Sequence, residues 1–158
     1  MLNQLRISAM KKLFIFLFLV PLTAAAQATK TEEIFNSGNC ILSCMGTFNN
    51  DTLVSAYVTF DAKDDRLATL KNYFTLCYDT PQNVFKFLNE LEKFSADNAL
   101  TSTEIGRHKI EIDKSTGTKT VKVYDERGMI FHRFPQKLIT SIKANLGEWA
   151  SKNNIKLD

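Results

Sequence analysis

The stretch Thr80-Pro-Gln-Asn-Val-Phe-Lys-Phe-Leu-Asn-Glu-Leu-Glu-Lys-Phe94 decides how the rest of the chain is read. Thr80 supplies a side-chain oxygen to cap a helix, and Pro81 stands at the first helical position, where its missing N–H costs nothing. Val84, Phe87, Leu88, Leu91 and Phe94 follow at offsets 0, 3, 4, 7 and 10, one apolar stripe opposed by Lys86, Asn89, Glu90 and Lys93. A helix with one such stripe must bury it against another layer. The chain around it supplies that layer as strands.

A second helix opens at Pro135. Ile139, Ile142, Leu146 and Trp149 form its stripe, Lys137, Lys143, Glu148 and Lys152 lie away from it, and Asn153-Asn154 ends it. Gly147 costs this helix about 1 kcal/mol relative to Ala. The pair Pro135-Gln136 echoes Pro81-Gln82 at an interval of 54 residues, a faint sign of two strand-then-helix halves.

The strands are read from alternation. Residues 41–48 place Leu42, Cys44 and Phe48 on one side, and Asn49-Asn50-Asp51 is a turn. In residues 53–60, Val54, Ala56, Val58 and Phe60 share one face while Ser55 and Thr59 face away. Residues 72–78 have the aromatic and β-branched composition of a strand, whereas 66–71 fit either state. Past the first helix, residues 95–103 are a polar connection. Strands follow at 107–113, with His108, Ile110 and Ile112 on one face and Lys109 and Glu111 on the other, at 119–124 and at 128–134. Asp125 and Gly128 have the first and fourth positions of a type I turn. Residues 29–39 read as a loose lead-in. The expected fold is α+β: one antiparallel sheet of five to six strands, in the order β-β-β-α-β-β-β-α, with two amphipathic helices on one face.

Before this domain comes a segment of another kind. Lys11 and Lys12 precede ten apolar residues from Leu13 to Leu22, and the small-residue tail that follows offers Ala-x-Ala sites ending at Ala26 or Ala28. This is the layout of a secretory signal peptide, with Met10 the better start, and the run is shorter than the roughly 20 apolar residues a spanning helix needs. Residues 1–28 are therefore read as a removable leader and 29–158 as a single exported domain, periplasmic or extracellular, with no stable membrane span after cleavage.

Removing the leader changes the charge. The 20 Lys+Arg exceed the 17 Asp+Glu by three, and that excess is Arg6, Lys11 and Lys12, so the domain is formally neutral. A neutral domain without a basic cluster lacks the electrostatic footprint of phosphate-backbone binding, and no nucleic-acid partner is expected. Export also permits a disulfide. Cys40 and Cys44, four residues apart in a strand, would be separated by about 13 Å, too far for a bridge. The candidate disulfide therefore joins Cys77 to Cys40 or Cys44.

No phosphate loop, zinc-protease helix, serine elbow or calcium loop is present, and no cofactor is expected. His108 and His132 have no nucleophile and orienting group beside them in sequence. The acids of Asp64-Asp65 and Asp125-Glu126 fall in turns, where solvated carboxylates are ordinary. The expectation is a non-enzymatic exported module that binds a protein, a peptide or an envelope component. Its candidate binding face is the outward side of the sheet, with Tyr57, Lys122 and Tyr124. The alternatives are a small exported hydrolase pairing a cysteine with a histidine, and a subunit of an envelope assembly.

Overall fold

A computed structural model describes residues 27–158 except 68, 71 and 116, so most of the leader lies outside the described residues. Four strands come first: β1 (Ala28–Asn36), β2 (Cys40–Asn49), β3 (Thr52–Lys63) and β4 (Tyr73–Asp79). Helix α1 (Pro81–Ala96) follows. Four more strands, β5 (Ser102–Ile105), β6 (His108–Asp113), β7 (Thr120–Tyr124) and β8 (Phe131–Pro135), lead into helix α2 (Gln136–Lys152). Each group of four is an antiparallel meander in chain order.

The class is α+β, as expected, but the order is four strands and a helix, twice, in two sheets instead of one. The Pro-Gln echo marks the same place in both halves, where the last strand of a sheet turns into its helix. Two strands escaped the sequence reading. β1 is exposed over most of its length, and β5 has only four residues and a single buried side chain, Ile105. Neither carries alternation, because each is an edge strand held mainly by backbone pairing.

The local signals behave as their chemistry requires. The Asn83 amide donates to Thr80 Oγ1 at 3.4 Å, closing the expected cap of α1. Asn50 and Asp51 both take positive φ, 48° and 60°, the two-residue turn whose twist suits a hairpin. Residues 66–71 contain no helix or strand among the described residues.

The helices pack on each other. α1 also touches β3, β4, β5 and β7, while α2 touches β1 and β8, so each helix meets both sheets. The result is one core, with Leu42, Val58 and Phe60 from the first sheet, Ile110, Val121 and Phe134 from the second, and Leu88, Leu91, Ile142 and Leu146 from the helices. Phe60 and Phe134 meet across the sheets at 5.8 Å between ring centroids.

A turn would leave Asp64 and Asp65 in solvent, but Asp64 is held within the first half and Asp65 ties the two halves together. Asp64 is fully buried under Arg66, whose Nε and Nη2 donate to its two oxygens at 3.0 and 2.8 Å. Asp65 crosses to the second sheet: its amide donates to the Phe131 carbonyl at 3.0 Å. The turn is short and lies against β8, so its acids are drawn into protein instead of water.

Candidate protein-interaction surface

β2, β3 and β4 present their inward residues to the helices and their alternate residues to solvent. Met45 on β2 lies opposite Tyr57 on β3, and Thr59 lies opposite Tyr78 on β4. Tyr57 and Tyr78 stack with ring centroids 5.6 Å apart and planes inclined by 16°. Met45, Tyr57 and Tyr78 remain 41%, 44% and 55% exposed. Three adjacent strands thus expose a methionine and a tyrosine pair on one face. Aromatic residues and Met are the types enriched in protein interfaces, and Tyr carries large contact area with a hydrogen-bonding tip.

The sequence reading reached one member of this stripe, Tyr57. Tyr78 was missed because β4 bulges: Phe60 pairs with Cys77 but Asp61 with Thr75, so Leu76 is extra and simple alternation miscounts which residues face out. Met45 was missed because β2 was read for its buried side only.

Lys122 and Tyr124 are not beside Tyr57. They lie on β7, in the second sheet, and belong to a closed network. The Tyr124 hydroxyl donates to Glu111 Oε2 at 2.7 Å, and Lys109 Nζ stands 2.6 Å from Glu111 Oε1. Lys122 Nζ is 3.5 Å from Asp113 Oδ2, which also accepts from Arg133 Nε at 2.7 Å, and both cations lie over the Phe131 ring. Burial and the Glu111 carboxylate push the Tyr124 phenol up to about 12. These groups satisfy one another, which leaves little for a partner to gain.

The three cysteines are free thiols, a correction to the candidate bridge from Cys77 to Cys40 or Cys44. Cys40 pairs with Ala62, Cys44 with Val58 and Cys77 with Phe60, so β3 lies between Cys77 and both candidates. Two strand spacings amount to about 10 Å, beyond what a disulfide spans.

Cys77 and a histidine do line one cleft. β4, α1 and the β5–β6 turn enclose about 540 Å³ lined by Cys77, Asp79, Lys86, Glu90, Arg107 and His108, among others. His108 Nδ1 is 2.7 Å from the Tyr124 carbonyl, which can only accept, so Nδ1 carries the proton and Nε2 is left as the basic nitrogen. Burial, assisted by the Asp79 charge, pushes the Cys77 thiol to about 11. A cysteine nucleophile needs the opposite shift, toward thiolate at neutral pH. Among the described residues no three His, Cys, Asp or Glu side chains converge as a metal site.

No protein-family model matches the chain, and no curated protein resembles it at a significant level.

Proposed function

We propose that this chain is an exported, non-enzymatic module that binds a protein through the outer face of its first sheet, with Tyr57 and Tyr78 as anchors and Met45 beside them. The observation that supports it is the stacked tyrosine pair, left half in water beside the exposed Met45. The stack holds both rings in place before a partner arrives, which lowers the ordering cost of binding. Its hydroxyls remain available to a partner's polar groups. Export supports the same reading, since a leader delivers the domain to a compartment where its partners would be other envelope or secreted proteins. The hydrolase alternative has the shared Cys77–His108 cleft in its favour and the raised thiol against it.

The test is a photo-crosslinking amino acid placed at Tyr78 and, as a control, at Glu148 on the exposed side of α2, in the protein expressed with its leader in a native host. A discrete heteromeric adduct is expected from position 78 and absent from 148, and it should be lost when Tyr57→Ser is added. Identical adducts from both positions, or none from 78, would overturn the reading.

A further inference from the structure

β3 is longer than β4. Their pairing ends at Val58 with Asp79, so residues 52–57 pair with β2 on one side only, and among the described residues no strand covers the other side. Three of the sheet edges are blunted: β1 carries Lys30, Glu32 and Glu33, β5 is four residues long, and β8 ends at Pro135 with Asp65 bonded to its first carbonyl, while β4 borders a cleft shared with the β5–β6 turn. The free half of β3, Thr52-Leu-Val-Ser-Ala-Tyr57, holds no charge, proline or glycine. Such an edge is a template for another strand.

We infer that the strand received here is β3 of a second copy, paired antiparallel about a two-fold axis between residues 54 and 55. The bulge makes this register possible. Ser55 pairs with Thr47 but Leu53 with Phe48, so Val54 is the extra residue, and Leu53 and Ala56 share the inner face while Ser55 and Tyr57 point out. In a regular strand, residues 53 and 56 would lie on opposite faces. Here the two-fold sets Leu53 against the partner's Ala56 on the inner face and Thr52 against the partner's Tyr57 on the outer. All six positions match by face, and no like charges meet.

The space beside this edge fits the same occupant. A recess of about 340 Å³ is lined by Leu53, Ala56, Pro81 and Ile155, and the inner-face Leu53 from the second copy would project into it. Val54, 55% exposed, lies at the centre of the junction. Pairing would join the two first sheets into one of eight strands and put two tyrosine stacks on one outer face. The inference goes beyond the proposed binding function and does not require it.

The experiment is sedimentation equilibrium of the exported, processed protein, with register-specific crosslinking. A dimer is expected, weakened at least tenfold by Ser55→Lys, with near-ultraviolet circular dichroism confirming that the variant is folded. Mixing Val54→Cys with Ser55→Cys chains should give a disulfide dimer faster than either alone. A monomer at 100 μM, or a dimer untouched by Ser55→Lys, overturns the inference. So does a photoprobe at Ser55 that captures a different polypeptide. Loss of the Tyr78 adduct with the dimer intact would instead sink only the proposed function.

Discussion

The carboxylate of Asp65 stands 2.9 Å from Nδ1 of His132, a residue of the other sheet, and its second oxygen accepts the Arg133 amide at 2.8 Å. One side chain from the turn after β3 thus bonds two consecutive residues of β8. His132 is buried, and its ring also meets Phe134 edge-on at 4.7 Å. The two halves of the fold are therefore joined by a polar clasp as well as by the common core.

Asp65→Ala should open this clasp and leave the Arg133 amide and the His132 ring without their acceptor. A loss of about 1–3 kcal/mol is expected in urea unfolding, the usual cost of stranding buried donors. Asp51→Asn, at an exposed ion pair with Lys30, is the control and should leave the urea midpoint unchanged.

Acid should weaken the fold through the same region. Hydrogen bonds from Ser115 and Arg133 hold the Asp113 carboxyl well below the ordinary carboxylate range. Burial acts to raise Asp65, but His132 and Arg133 outweigh it and its carboxyl is also lowered. A depressed folded value means that the unfolded chain takes up protons first as pH falls. The stability from these groups is thus full above the unfolded value, about 4, and is lost as pH drops through the folded values. Urea midpoints measured from pH 7 to pH 3 should hold steady and then decline below about pH 4, and Asp113→Asn should flatten that decline.

Thiol chemistry separates binding module from hydrolase. Burial pushes Cys40 to about 12 and both Cys44 and Cys77 to about 11. Native labelling should be slow at pH 7 and should accelerate steadily up to pH 10, with Cys77, the half-buried one, reacting first. A fast thiol at pH 7 that His108→Ala slows would favour the Cys77–His108 hydrolase.

Gly46 marks a close approach. A Cβ there would meet Leu53 Cδ1 at 2.8 Å and Phe48 Cε2 at 2.9 Å, since both side chains fold over the bare backbone between them. Both contacts are the outer ends of half-buried side chains that can turn aside, so Gly46→Ala should cost about 1 kcal/mol or less by overpacking, measured by thermal or urea unfolding. Gly147→Ala, where nothing lies within 4 Å, should stabilise α2 by about 1 kcal/mol instead.

Several elements were readable from side chains alone. Thr80-Pro81 and the stripe from Val84 to Phe94 specified α1, and Ile139 to Trp149 specified α2, because a helix closes its own hydrogen bonds and displays its buried face at a fixed period. The central strands and the Asn50-Asp51 turn were legible for a similar reason: their burial or their φ angles are local demands. Of the proposed binding surface, Tyr57 alone was found.

What the residues determined by themselves was the class, the helices and the inward sides of the central strands. Tertiary structure decided that there are two sheets, that β1 and β5 exist, that Val54 leaves the core face, that Tyr78 joins Tyr57, and that Lys122 and Tyr124 stand apart on another sheet. The division has one physical cause. Strand pairing is made by backbone groups that nearly every residue carries, so register, bulges and edges follow from which strands lie side by side, and a linear pattern of side chains does not encode that choice.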